Sequence, residues 1–315
     1  MVGSGRGMRV RGLGAAAVAV GVVTAVAFVL PSTATAQPTL QLPAAAPAPG
    51  WAPAGSAELH PGVQTVTTGG GACTSNFVFT SGDRTFIGQA AHCAGTGQAT
   101  ETNGCDSSTM PVGTAVTVQG DRGYTTGGTL VYSSWVTMQQ RGEADPNTCA
   151  YNDLGLVELD RDAVAHLNPS VPFFGGPTGL SDAGLPAGAL TYSYGNSPLR
   201  QGVAALSPKA GVSAGDVGGG WGHEVYTISP GVPGDSGSAF LNDSGQAVGL
   251  LSTLNLAPLP VSNGVSDLSR ELAYANAHGG LGTLKLVRGT EPFTATPPGI
   301  PLQDIAPPAG PPAGA

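Results

Sequence analysis

Residues 73–93 read CTSNFVFTSGDRTFIGQAAHC. Asn76–Thr80 and Thr85–Gln89 are short runs of aromatic and β-branched residues, with Ser-Gly-Asp-Arg between them. Two such runs around a turn of that composition predict a β-hairpin. The pattern recurs along the chain in Thr114–Gln119, Thr129–Met138, Leu154–Leu159, Ala189–Tyr194, Glu224–Ile228, Ala247–Thr253 and Thr283–Val287. Gly, Asn, Asp and Pro separate these runs. One helix is expected near the C-terminus: Ser266 suits an N-cap, Asp267 favours the positive helix end, and Leu268, Leu272 and Ala275 share a face. Gly279 and Gly280 stop it. Many short strands with little helix predict an all-β sandwich or pair of barrels. No fixed-period repeat occurs.

Composition agrees. Only 10% of residues are charged, whereas Gly (50) and Pro (27) are abundant, which suits turns better than exposed helix faces. A hydrophobic fraction of 41% is too high for a disordered central region. The formal charge of −8 disfavours a phosphate backbone, so no nucleic-acid partner is expected.

The N-terminus reads as an export signal over residues 1–36. Arg6, Arg9 and Arg11 precede an apolar run, Leu13 to Leu30, and Ala34-Thr35-Ala36 offers a cleavage site before Gln37. An uncleaved membrane anchor is the alternative; after cleavage no stable membrane association is expected, and the product is a secreted, extracellular monomer. Residues 37–56 are a Pro/Ala-rich linker or short pro-segment, and 295–315 a disordered Pro-rich tail. The globular domain is placed at 57–294, with its halves meeting near 163–188. Export makes disulfides the default for the four cysteines. Three pairings are possible. Cys73–Cys93 closes a short loop across the hairpin and leaves Cys105–Cys149. No cysteine or histidine spacing suits a metal, and no cofactor is expected. Gly218-Gly219-Gly220 lacks the Lys-Ser/Thr and strand–helix context of a phosphate loop.

Three segments carry candidate chemistry: Gly88-Gln89-Ala90-Ala91-His92-Cys93, Asn152-Asp153 opening the run to Leu159, and Pro233-Gly234-Asp235-Ser236-Gly237-Ser238-Ala239. Alone, each has a bland reading as a structural His, a strand-start Asp and a turn. Together they supply a nucleophile, a base and a carboxylate to orient the base, in a known chain order.

These blocks resemble the signatures of chymotrypsin-like serine proteases. PGDSG and the context GACTSNFVF…GQAAHC are similar to the secreted bacterial branch, over roughly Pro61 to His278. The resemblance implies two six-stranded antiparallel β-barrels with a cleft between them. It implies a catalytic triad of His92, Asp153 and Ser236 acting on protein or peptide substrates, with an oxyanion hole of Gly234 and Ser236 N–H groups. The Cys73–Cys93 bond would hold the histidine loop. Pro230, Gly231, Ser252, Thr253 and Leu254 would bind substrate, Ser252 also supporting Asp153. No carboxylate stands at the pocket position that selects Arg or Lys, and a smallish apolar pocket is the expectation.

Two departures matter. No Ile-Val-Gly-Gly-type terminus precedes Cys73, so Asp235 needs another cation, and Arg200 is the candidate. Ser238 replaces a second glycine. The rival readings are a serine esterase, disfavoured because GDSGS fails the GxSxG elbow at its last place, and a catalytically silent protease-like binding module.

Overall fold

The computed structural model describes residues 50–98, 101–255 and 262–295. The expectations for the signal segment, for residues 37–49 and for the tail beyond Ala295 lie outside them. Among the described residues no helix is long and apolar enough to cross a membrane. The end of the Pro/Ala-rich stretch is docked. Trp51 packs on an apolar cluster of the first sheet, the Ala52 N–H donates to the Leu167 carbonyl (3.0 Å), and Asn168 Nδ2 donates to the Ala52 carbonyl (2.7 Å).

The first half contains β1 (Gln64–Thr67), β2 (Ala72–Thr74), β3 (Val78–Ser81), β4 (Arg84–Ala90), β5 (Ala115–Gln119), β6 (Thr125–Ser133), α1 (Ser134–Arg141), α2 (Pro146–Tyr151) and β7 (Leu154–Leu159). The second contains β8 (Leu190–Tyr194), β9 (Pro208–Val217), β10 (Gly222–Thr227), β11 (Ala239–Asn242), β12 (Ala247–Asn255), β13 (Ser262–Asp267), α3 (Leu268–His278) and β14 (Lys285–Leu286). The predicted hairpin forms, with Val78 opposite Ile87 and Ser81 opposite Arg84.

The second-half strands close a six-stranded barrel in the order β10-β13-β12-β11-β8-β9. The first half corrects the expectation of a second six-stranded barrel. It is an eight-stranded sheet, β14-β3-β4-β7-β6-β5-β1-β2, that curls without closing. Two causes are visible. β14 returns from the C-terminal end to cover the edge of β3, Lys285 facing Thr80. On the other edge, the Thr74 N–H of β2 donates to the Ser236 carbonyl (2.8 Å) instead of a strand partner. Aromatic and aliphatic residues of both halves, among them Phe77, Phe86, Leu154, Tyr192, Leu241 and Leu272, form one buried cluster that joins them.

The expected strand Thr129–Met138 stops at Ser133, where the chain turns into α1. The Ser133 hydroxyl accepts the Val136 N–H as an N-cap, and Gly142 ends the helix in the left-handed region (φ 65°). The helix buries Trp135 and Met138 against Ala91 and Tyr274. α2 follows, capped by Asp145, which accepts the Thr148 N–H at 2.8 Å, with Pro146 in the first turn. Two helices therefore stand where the sequence predicted none.

Candidate active site

β4 and β7 are adjacent antiparallel strands whose last pair is Ala90 opposite Leu154. His92 lies just past that end, in the short helical turn Ala91–Ala94, and Asp153 just before it. The pairing therefore delivers the two side chains to one place. Asp153 Oδ2 bonds His92 Nδ1 at 2.7 Å, and Asp153 Oδ1 accepts the His92 N–H at 2.8 Å. Burial by itself lowers the affinity of the His92 ring for a proton. The charge of Asp153 and its hydrogen bond outweigh that, and the His92 pKa lies above its ordinary 6.5. Ser252 reaches the same carboxylate from the barrel, its hydroxyl donating to Asp153 Oδ2 at 2.7 Å. Ser252 sits where the β12–β13 register shifts between Leu251 and Thr253. Such an irregularity re-aims a side chain off the sheet alternation.

The Ser236 turn is held on several sides. Gly234 (φ 96°) and Gly237 (φ 85°) occupy backbone space that side chains resist. A Cβ on Gly237 would stand 2.6 Å from the Thr74 carbonyl oxygen. Thr74 Oγ1 donates to the Gly234 carbonyl (2.7 Å), and the Gly237 N–H donates to the Leu251 carbonyl (2.6 Å). The N–H groups of Gly234 and Ser236 have no acceptor among the described residues. Asp235 is fully buried and meets two cations, Arg200 Nη2 and Lys209 Nζ, each 2.5 Å from Oδ2. Burial opposes its ionisation, but the two cations prevail and hold the carboxyl below its ordinary range. Ser238 is buried, and its hydroxyl has no hydrogen-bond partner among the described residues.

His92, Asp153, Ser236, Gly234 and Ser252 line one cleft of about 640 Å³, together with Gly231, Val232, Thr253 and Leu254. Pro230 is half-buried and stays out of that lining. Asn263, itself buried, accepts the Gly231 N–H (2.7 Å) and so holds that part of the cleft lining. Trp135 also lines the cleft, its ring 6.4 Å from that of His92. Both disulfides are formed: Cys73–Cys93 ties β2 to the histidine turn, and Cys105–Cys149 ties the segment beyond it to α2. The one grouping of possible metal ligands among the described residues is Cys73, His92 and Cys93. Its two sulfurs are joined to each other, so neither is available as a thiolate.

Sequence reasoning missed three residues here. Lys209 joins Arg200 on Asp235, and nothing local to β9 signals it. Trp135 was read as strand. Glu271 is fully buried, and its Oε1 accepts the Asp153 N–H at 2.7 Å. A signal for it existed: an acidic residue three positions after Leu268 and four before Ala275 lies on the apolar face of α3. His223 is buried, between Asp216 (2.7 Å) and Asp267 (3.1 Å).

No protein-family model and no curated protein sequence matches this chain. Among solved structures it is similar to protease A of Thermobifida fusca at 18% identity, covering 73% of this chain and 99% of that one, with a TM-score of 0.45. It is also similar to a Nocardiopsis protease (18% identity; 72% and 98% covered; TM-score 0.43). A third is the chymotrypsin of Cellulomonas bogoriensis (15%; 73% and 98%; 0.43). These neighbours are bacterial chymotrypsin-like serine proteases.

Proposed function

We propose that this chain is a secreted serine endopeptidase in which Ser236 is the nucleophile, His92 the general base and Asp153 its orienting carboxylate. The observation that carries this reading is the His92 Nδ1–Asp153 Oδ2 bond of 2.7 Å in the cleft that Ser236 also lines. With Nδ1 committed to Asp153, the free ring nitrogen of His92 is the one that takes the Ser236 proton as the hydroxyl attacks a peptide carbonyl. The imidazolium then gives that proton to the leaving amine. Water repeats the sequence on the acyl-enzyme. Asp153 orients the imidazole and stabilises the imidazolium.

Negative charge on the carbonyl oxygen would be met by the Gly234 and Ser236 N–H groups, which donate to no other described residue. One such donor contributes about 2.7–4 kcal/mol to the transition state. The ion pairs beneath Asp235 hold these donors in place. For the primary pocket, Gly231, Val232, Leu251 and Leu254 offer an apolar wall, which suits a small to medium apolar side chain, while Glu101 lines another part of the cleft. Two completed disulfides and the charged-then-apolar N-terminus support an exported protein.

A fluorophosphonate reagent followed by peptide mapping tests the reading. Labelling on Ser236, lost in Ser236→Ala, together with cleavage of a casein substrate, is the expected result. No labelling of folded protein would favour a silent binding module. Labelling with ester but no peptide hydrolysis would favour an esterase.

A further inference from the structure

Every polar atom of Asp153 has a partner, and two of those partners, Ser252 and Glu271, belong to none of the three sequence blocks. Its carbonyl oxygen accepts the Ala91 N–H (2.5 Å), Oδ1 the His92 N–H, and Oδ2 both His92 Nδ1 and the Ser252 hydroxyl. Its own N–H goes to Glu271 Oε1 at 2.7 Å, across 118 residues of sequence. This donor needs help for a topological reason. The β4–β7 ladder ends at Ala90–Leu154, so Asp153 stands beyond the last strand pair. A buried N–H without an acceptor is unfavourable, and the peptide carrying it would turn to find one. Turning the 152–153 peptide would swing the carboxylate away from His92.

We propose that Glu271 is a positioning residue for the His92–Asp153 pair, its buried carboxyl fixing the Asp153 peptide so that the carboxylate meets the imidazole. The inference rests on the protease reading above. The setting explains why a glutamic acid can stand there. Glu271 is 0% exposed on the face of α3 that carries Leu268, Leu272 and Ala275. The titratable groups around it are Asp153, Asp267 and the buried Tyr132 hydroxyl. Burial first, and the charges of Asp153 and Asp267 next, push its pKa well above 4.5 despite the bond from the Asp153 N–H and the Ser266 hydroxyl nearby. A protonated carboxyl supplies an acceptor oxygen without setting a second full charge behind Asp153.

The frame that holds α3 is also built. Asp267 caps the helix by accepting the Arg270 N–H (2.9 Å), while its other oxygen meets the buried His223 (3.1 Å). Glu271 therefore approaches Asp153 from an element fixed at its start.

The test compares Glu271→Leu, Glu271→Asp and Glu271→Gln in the full chain. Leu removes the acceptor and Asp withdraws it by one methylene, and each should lower kcat about tenfold, with KM within about twofold. Their pH profiles should move towards the ordinary histidine value of 6.5 as Asp153 loosens. Gln keeps a neutral acceptor and should rescue most of the loss. In Ser236→Ala protein, the downfield proton resonance of the His92–Asp153 bond should weaken with Leu or Asp and return with Gln. That resonance needs no activity. If fluorophosphonate fails to label the wild type, the protease reading falls while the resonance still tests the positioning. Glu271→Asp with wild-type kcat, pH profile and resonance would overturn the proposal even if Glu271→Leu did not fold. So would a Gln variant as impaired as the Asp one.

Discussion

Ser252 and Asp153 lie 99 residues apart, yet the hydroxyl of one donates to Oδ2 of the other at 2.7 Å. The bond runs from the closed barrel to the open sheet, so the carboxylate that faces His92 is held by both halves of the fold. Ser252→Ala removes one bond to a charged acceptor, a loss that corresponds to about a tenfold fall in kcat/KM. Steady-state kinetics beside an unchanged far-UV spectrum would check this; wild-type kinetics would show that the bond is dispensable.

Cutting the proposed triad should reveal coupled action. Ser236→Ala and His92→Ala should each reduce turnover on the order of 10⁶, and the double variant scarcely more, because both serve one chemical step. Asp153→Ala should be milder, on the order of 10⁴. Multiplicative losses in the double variant would mean that the two residues do not act together.

In the proposed mechanism, His92 must be neutral to accept the Ser236 proton. Burial lowers its pKa, but the Asp153 charge and hydrogen bond raise it further, to a net position above 6.5. The free-enzyme kcat/KM should therefore rise with pH through an apparent pKa above that value. Asp153→Asn should bring the midpoint down, and a midpoint unaffected by that change would assign the titration to another group.

Lys209 is buried with its ammonium on Asp235, beside Arg200. Lys209→Met should destabilise the fold by about 3 kcal/mol, because the aspartate beneath the Ser236 turn loses one of its two cations. Urea unfolding of Ser236→Ala protein, with and without the second change, measures it. A loss below about 1 kcal/mol would show that Arg200 alone suffices. Since the Asp235 pKa is held below its ordinary 3.8, its contribution is present above that pH and fades as pH falls through the lowered value.

Glu271 carries the opposite sign. Its folded-state pKa lies well above the 4.5 of an unfolded glutamate. Between those values the folded protein retains a proton that the unfolded chain has released, so the contribution of Glu271 to stability falls as pH rises, by at most about 1.4 kcal/mol per pH unit. Glu271→Gln has nothing to titrate and should lack this slope. Denaturant midpoints at about pH 5 and about pH 7, in the Ser236→Ala background, compare the two.

Local chemistry was enough for much of this protein. Short runs of apolar and β-branched residues between turn residues marked the β4 and β7 strands, and the helix near the C-terminus showed its face in Leu268, Leu272 and Ala275. The blocks holding His92, Asp153 and Ser236 were each visible within a few residues, since each sits at a strand end or glycine turn whose shape its own neighbours dictate. Cys73 and Cys93, 20 residues apart, could be paired from loop length. Tertiary structure decided the rest. Thr129–Met138 has strand-like residues throughout, yet its second half becomes helix, because Trp135 and Met138 find a buried surface between Ala91 and Tyr274. The open edge of the first sheet depends on Thr74 giving its N–H to a loop 162 residues away, at Ser236. Lys209 and Glu271 are ordinary polar residues until distant chain segments bury them against Asp235 and Asp153. A short window encodes backbone preference and capping, but a charge's burial depends on what packs against it, and that partner lies elsewhere in the sequence.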